Sequence, residues 1–327
     1  MKAAALTRYI HSQGFAALIL AVALPGVLGA YLFGEFTPIT GDKGFVIPSA
    51  NEWILQPWAD LVAALVANAA IVAMAGLTDK FFNVLRSNSA LPLTIFAVLQ
   101  LATPGLSVQF YTGTALALTA AGCLMILFSC YHSPTLTRRV FLIFLILSAA
   151  CATQYCYALY IPVFLLGCAQ MRIFNARTVV AALLGLITPW WIMGACGMLD
   201  PGNIRVPNLV SIFSVINRQM AVHLLVTIGL TSALLIGCFI LNVMKTIAYN
   251  ARARAYNALL SGVSLFTAIF SVLNYANSQF YILMLDCCVA FQMGHFFRIY
   301  LQRRAYILAL ALMAVYGGIY VWSVFLS

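Results

Sequence analysis

Charged residues are scarce in this chain, and acidic residues are the scarcest of all. Asp and Glu together number seven in 327 residues, charged residues of both signs make up 7%, and 64% of the residues are hydrophobic. A soluble domain needs a polar shell around its apolar core, and this composition holds too little charge for one. It therefore excludes a water-soluble protein and indicates one whose solvent is the lipid bilayer.

Long apolar segments follow one another with short connections between them. A helix that crosses a bilayer needs about 20 apolar residues, and fewer if it is tilted or incomplete. On that template about eleven segments between Gly14 and Phe325 qualify. We therefore expect an all-α, polytopic integral membrane protein with about 11 transmembrane helices, forming a single transmembrane domain over residues 1–327.

The basic residues predict the orientation of these helices. If the connections alternate from an inside amino terminus, fourteen of the seventeen Lys and Arg residues lie inside. The outside set then holds only Lys43, Arg205 and Arg218. Because positive residues are retained on the cytoplasmic side, we expect the amino terminus inside and the carboxyl terminus outside. The sequence thus predicts a multi-pass protein of the bacterial inner (cytoplasmic) membrane, and its net charge of +10 does not indicate nucleic-acid binding.

Sequence patterns for several kinds of catalytic site are missing. The nine cysteines fall within apolar segments or at their edges, where cysteine packs as a small hydrophobe, and none has zinc-ligand spacing. The chain has no phosphate-binding glycine loop, no nucleophile constellation and no haem-type histidine pair. Hydrolases, primary pumps and haem proteins are therefore disfavoured.

Acidic residues concentrate in the loop Gly34–Asp60, which follows the first apolar segment and holds four of the seven. Prolines and glycines prevent a long regular element there, while Trp53–Trp58 has the aromatic character of a short interfacial helix. A second outer segment, residues 197–221, has polar and apolar residues at helical spacing and predicts an amphipathic helix. We expect both segments to lie on the outer surface of the membrane.

Two apolar segments are too short for a full crossing. Leu91–Pro104 and Val140–Thr153 each contain about fourteen residues. The basic residues around them stay inside only if the chain turns back outside, at Pro104-Gly105 and near Gln154. We therefore expect two consecutive hairpins, each a short helix followed by a longer one.

These features together resemble the membrane core of the GT-C glycosyltransferases. They include the inside amino terminus, the acidic first loop, the two hairpins, and a late helix that begins ANSQFYILMLDCCVAF. The segment TQYCYALYIPVFLLGCAQMRIFNARTVVAALLGLITPWWI adds to the pattern. Its part RIFNARTVVAALLGLITPWWI also resembles a family of small bacterial polytopic membrane proteins with this layout. The resemblance implies a GT-C-like arrangement of helices.

The resemblance further implies transfer of a sugar from a polyprenyl phosphate at the outer face. A first-loop carboxylate would act as the base on the acceptor, with Glu35 the first candidate and Asp42 the second. Candidates for holding the lipid phosphate are Lys43, Arg205, Arg218 and His223. The resemblance allows a divalent cation and no other cofactor. Because the two acids are not adjacent, as they often are in GT-C enzymes, the protein could also bind the lipid-linked sugar without transferring it.

Asp286 indicates a second class of function. It lies in the middle of a late apolar segment, and an intramembrane carboxylate is costly and commonly functional. His295 lies on the opposite face of the same helix, so it is not a simple relay partner, and we expect it and Arg298 to be interfacial anchors. The alternative to a transferase is thus a transporter coupled through Asp286, or a non-enzymatic subunit of a cell-envelope assembly with a membrane-protein partner.

Overall fold

The computed structural model of the chain describes residues 9, 12–34, 39, 45–84, 90–131, 133, 135–199, 222–246, 251–300 and 305–325. Within these ranges the protein is all-helical and has no strand. Eight helices are long and apolar enough to cross a membrane. The predicted class, a polytopic helical membrane protein, is confirmed at this level.

The helices are numbered in chain order. The long ones are α1 (Gln13–Phe33), α2 (Pro57–Phe82), α5 (Thr112–Ser129), α8 (Ala176–Ala195), α9 (Val222–Thr246), α10 (Ala251–Leu273), α11 (Gln279–Tyr300) and α12 (Ala305–Phe325). The short ones are α3 (Leu91–Leu101), α4 (Pro104–Ser107), α6 (Leu136–Cys151) and α7 (Tyr160–Gln170). Short 3-10 turns occur at Ala50–Glu52, Tyr155–Tyr157 and Tyr275–Asn277. Because α3, α6 and α7 are short, the count of eleven crossings remains a prediction.

Several helix ends lie at residues whose chemistry suits them. Asn175 begins α8 with a capping box, in which its side chain accepts from the Thr178 amide at 3.0 Å and the Thr178 hydroxyl accepts from the Asn175 amide at 2.9 Å. Pro57 opens α2, where its missing N–H costs nothing. Asn83 closes α2 in the left-handed region, with φ of 49°. These ends are therefore set by local sequence.

The chain divides into separate helices near both predicted turns, and the order of helix lengths agrees with the prediction in the first pair but not in the second. The first runs from α3, with 11 residues, to α5, with 18. The second runs from α6, with 16 residues, to α7, with 11, so the expectation of a short helix before a longer one is wrong there. The reason is that α6 takes in Arg138 and Arg139 in its first turn, where the Arg139 guanidinium donates to the carbonyl of Ser129.

The predicted interfacial helix over Trp53–Trp58 is also wrong. The chain makes a 3-10 turn just before this segment, at Ala50–Glu52, and the residues from Trp53 up to but not including Pro57 are not helical. The apolar surface is nevertheless there, since Leu55 is 89% exposed and Trp58 is 68% exposed. The predicted amphipathic helix of the segment 197–221 cannot be compared, because residues 200–221 lie outside the described residues.

The helix bundle has two opposite ends, which we name by the residues that lie there. The first-loop end, which includes Gly34, Thr112 and Gln279, is the end predicted to be outside. The arginine end, which includes Arg139, Arg172 and Arg254, is the end predicted to be inside. At the first-loop end the first loop joins the second hairpin, because the amide of Val46 donates to the carbonyl of Ala152 at 2.8 Å.

Helix α11 forms the core of the bundle. It packs against α3, α5, α9 and α10, and 89% of its most apolar stretch is buried, compared with 22% to 61% for the other long helices. Polar side chains on α11 therefore contact protein instead of lipid. One of them, Gln292, accepts from Asn242 at 2.7 Å and donates to Ser261 at 3.1 Å, which joins α11 to α9 and α10.

Candidate functional site at the first-loop end

A cavity of about 420 Å³ opens at the first-loop end of the bundle. It lies between the end of α1, the segment that leads into α2 and the turn that precedes α5. Its polar lining includes Asn51, Asp60, Gln109 and Tyr111, and Leu55 contributes to its apolar lining. We call it the first-loop cavity. Its volume is in the range of small-molecule binding sites.

Asp60 is the carboxylate of this cavity among the described residues. It lies in the first turn of α2, where the helix dipole favours a negative charge. Its Oδ1 accepts from the backbone amide of Phe110 at 2.7 Å, and it has no second hydrogen bond among the described residues. A carboxylate anchored through one oxygen keeps the other available to accept a proton or a hydrogen bond from a ligand.

Asn51 and Gln109 hold the first loop against the start of α5. The Asn51 side chain accepts from the amide of Thr112 at 2.8 Å and donates to the carbonyl of Ile39 at 3.3 Å. Gln109 in turn accepts from the amide of Ile39 at 3.2 Å. Ile39 lies between Glu35 and Asp42 in the sequence, so these bonds place the middle of that acidic segment at the cavity.

Tyr111 forms the floor of the first-loop cavity and is only 2% exposed. Its ring lies directly over Gly113, where a Cβ atom would come within 2.7 Å of Cζ and 2.8 Å of the hydroxyl oxygen. Only glycine leaves room for this close approach. Burial raises the pKa of the Tyr111 hydroxyl, and the charge of Asp286 raises that pKa further. Tyr111 therefore borders the cavity at the start of α5, and α5 packs against α11.

Asp286 is buried on the core helix without a hydrogen-bonding partner. The residue is 1% exposed, and within the described ranges neither of its carboxylate oxygens forms a hydrogen bond. Buried polar groups are nearly always hydrogen-bonded, so this carboxylate calls for an explanation beyond packing.

The structure describes two of the predicted site residues. Asp286 is one, and His223 is the other. His223 is half-buried at the start of α9, its ring packs edge-on at 6.5 Å from that of Trp322, and it does not line the first-loop cavity. The remaining candidates lie outside the described residues: Glu35, Asp42, Lys43, Arg205 and Arg218.

Two residues differ from what the sequence indicated. His295 is 4% exposed, so the prediction that it is an interfacial anchor is wrong. The reason is that α11 is enclosed by other helices along most of its length, including the turn that carries His295. The sequence indicated Asp60 only as the last residue of the acidic first loop and not as a site residue. The signal that could have singled it out is Pro57, which marks a helix start and puts Asp60 in a first turn.

The described residues do not fit the divalent cation that the GT-C resemblance allows. In the ranges that the structure describes, no group of three or more His, Cys, Asp and Glu could hold a metal ion. The first-loop cavity contributes one described carboxylate, Asp60, whereas hard divalent cations take several oxygen ligands. We therefore derive no step through a metal.

No protein family matches the chain, and neither a characterised protein nor a solved structure shows significant similarity to it. The GT-C resemblance accordingly depends on the sequence pattern.

Proposed function

We propose that the first-loop cavity binds the polar head of a polyprenyl-phosphate-linked sugar, and that the protein is a GT-C-type glycosyltransferase. It would act at the outer face of the bacterial inner membrane, in the synthesis of an envelope component. The observation that carries the proposal is the carboxylate of Asp60, which the Phe110 amide holds at the wall of the first-loop cavity.

Apolar side chains beside the cavity support a lipid-linked substrate. Leu55 lines the cavity and is 89% exposed, and Trp58, in the next turn, is 68% exposed. Tryptophan prefers the headgroup level of a bilayer, so this edge suits the membrane interface. A polyprenyl chain would remain in the lipid while its phosphate and sugar enter the cavity beside these residues.

Asp60 would act as the general base. It takes the proton of the acceptor hydroxyl as that oxygen forms a bond to the anomeric carbon, and the bond between this carbon and the phosphate oxygen breaks. The products are the glycosylated acceptor and a polyprenyl phosphate. Proton transfer to a positioned side chain contributes about 100- to 10,000-fold to such a rate. The departing phosphate would be stabilised by cations, and the predicted candidates are Lys43, Arg205 and Arg218.

The Asp60→Asn variant tests the proposal. The amide oxygen of Asn can still accept from the Phe110 amide, so the fold is retained while the base is lost. Purified protein in liposomes is supplied with polyprenyl-phosphate glucose or mannose, with water in place of the acceptor hydroxyl, and the release of polyprenyl phosphate is measured. A photoreactive polyprenyl phosphate, followed by mass spectrometry of the cross-linked peptides, locates the binding site independently of turnover.

We expect Asp60→Asn to slow release at least about 100-fold while cross-linking to the cavity peptides continues. Glu52→Gln is the matched control, because Glu52 is an exposed acid of the same loop that does not line the cavity. Full turnover by Asp60→Asn would refute its role as the base. Cross-links confined to other parts of the chain would refute the binding site.

A second function, transport coupled to Asp286, is favoured by the two unpartnered oxygens of that carboxylate. A charged carboxylate in such a place is costly and a protonated one much less so, which is the property that proton-coupled carriers use. Tyr111 borders the first-loop cavity at the start of α5, the helix that packs against α11, which carries Asp286. In this case Asp286→Asn would abolish proton uptake by liposomes under an imposed gradient. A transferase would retain its turnover in that variant.

A further inference from the structure

A second cavity, of about 300 Å³, lies at the arginine end of the bundle. We call it the arginine-end cavity. Its walls come from the end of α5, the end of α7 and the first turns of α10, and its polar residues are Tyr131, Gln170, Arg172 and Arg254. We propose that this cavity binds a phosphate-bearing ligand. The proposal is independent of the function of the first-loop cavity, which lies at the opposite end of the helices.

Among the described residues, no acidic group neutralises the charge of the arginine-end cavity. Arg172 and Arg254 both line it, and neither guanidinium makes an ion pair or a hydrogen bond with another described residue. Guanidinium groups match phosphate in geometry and charge, and two of them beside one cavity suit a phosphate ester.

The backbone of Arg172 supports a role for its side chain. Helix α7 ends in a Schellman motif, in which the amide of Arg172 donates to the carbonyl of Ala169 at 3.0 Å and that of Ile173 to Cys168 at 3.1 Å. Arg172 thereby takes the left-handed position, with φ of 56°, that glycine adopts without strain. Folding alone would favour glycine here. An arginine at this position therefore indicates that the side chain has another use.

Arg252 packs against Tyr131, which forms one wall of the cavity. The guanidinium carbon of Arg252 lies 6.0 Å from the centre of the Tyr131 ring and 5.4 Å from that of Tyr256, and the Arg252 Nε donates to the Tyr256 hydroxyl at 2.9 Å. The Tyr256 hydroxyl in turn donates to the carbonyl of Phe128 at 3.1 Å, which ties α10 to α5. The cavity is thus built on connected helices, and its shape does not depend on a bound ligand.

A phosphate group could reach this cavity from either of two sources. One is the headgroup of an anionic phospholipid in the leaflet at the arginine end, and the other is a soluble phosphate ester. At about 300 Å³, the cavity has room for a phosphate with a glycerol-sized or sugar-sized substituent. The common chemistry is a phosphate held between two arginines.

The test uses the full-length protein in detergent, with native mass spectrometry to measure retention of phosphatidylglycerol against phosphatidylcholine. The Arg172→Gly variant loses a cation and places glycine at a left-handed backbone position. Because glycine adopts this conformation without strain, the variant should be at least as stable as the wild type. Asn83→Gly is the matched control for relief of backbone strain, since Asn83 is the other left-handed non-glycine residue in the described ranges. Arg177→Gln is the control for charge, because Arg177 is exposed at the same end and does not line the cavity.

We expect the preference for phosphatidylglycerol to fall at least about tenfold in Arg172→Gly and in Arg254→Gln, and to remain unchanged in both controls. Displacement of the lipid by inorganic pyrophosphate in the wild type would identify a soluble phosphate ester as the ligand. Retention of the lipid under pyrophosphate would identify the headgroup. Equal losses in Arg172→Gly and Arg177→Gln would show only general surface attraction and overturn the proposal, as would no loss in Arg172→Gly.

Discussion

Among the described glycines, Gly185 is the one at which an added Cβ would meet backbone atoms of another helix, and its replacement by alanine is predicted to be strongly destabilising. A Cβ at this position would lie 2.6 Å from the carbonyl oxygen of Phe141 and 3.0 Å from the amide nitrogen of Leu145. Both atoms belong to the backbone of α6. Neither can move aside like the end of a side chain, so α8 must shift away from α6.

The size of the effect follows from three contributions. Alanine is favoured over glycine within a helix by about 1 kcal/mol. Forcing extra volume into a packed interface costs about 1–3 kcal/mol. The separation also weakens the hydrogen bond at 2.6 Å from the Ser148 hydroxyl to the carbonyl of Leu186, which contributes about 1 kcal/mol. We therefore expect Gly185→Ala to lower the free energy of unfolding by about 1–3 kcal/mol.

A thiol-reactive fluorescent dye can follow this unfolding, because eight of the nine cysteines are buried and become reactive only when the protein opens. Gly122→Ala is the matched control, since no atom lies within 4 Å of a Cβ built there. We expect Gly185→Ala to melt several degrees below the wild type, and Gly122→Ala to melt at the same temperature or higher. An unchanged melting temperature for Gly185→Ala would refute the reasoning about the helix contact.

Three further predictions test the orientation, the core and the first-loop cavity. Cys196 is exposed at the end of α8, so a membrane-impermeant maleimide should label right-side-out vesicles of the wild type but not of Cys196→Ser; labelling of inverted vesicles alone would reverse the predicted orientation. Gln292→Leu removes the side-chain acceptor of Asn242 but leaves the backbone carbonyl of residue 292 as its other acceptor; the change should cost about 2 kcal/mol in the same dye assay, and a neutral result would show that the side-chain pair does not hold α9 to α11. Gly113→Ala should displace the Tyr111 ring and reduce cross-linking of the photoreactive polyprenyl phosphate severalfold, while Gly122→Ala should not. Equal cross-linking yields in the two variants would show that Tyr111 does not contribute to ligand binding.

Much of the fold could be predicted because membrane helices are encoded locally. Apolar length and the positions of proline and glycine predicted where the chain breaks after α3 and between α6 and α7. The relative lengths of α6 and α7 could not be read in this way. They depend on Arg139, which extends α6 by bonding to the end of α5, and on the 3-10 turn Tyr155–Tyr157, which shortens α7.

The candidate site depends on contacts that the sequence does not encode. The sequence pointed to the first loop, and the cavity lies there with Asp60 at its wall, while the two acids first proposed, Glu35 and Asp42, lie outside the described residues. What distinguishes Asp60 is the amide of Phe110, fifty positions along the chain, and no local pattern encodes that contact. Asp286 shows the opposite case, because a charged residue within an apolar segment is visible from hydropathy alone.

The sequence by itself determined that the chain is a multi-helix membrane protein and where its acids and arginines lie along it, because hydropathy and charge are properties of each segment. It also predicted which end of the helices lies outside. Only the tertiary structure decided which residues share a cavity: Asp60 with Tyr111 at one end of the bundle, and Arg172 with Arg254 at the other. Lipid-facing and protein-facing surfaces are equally apolar in a membrane helix, so the burial of α11 and the positions of its polar side chains follow from packing between distant segments.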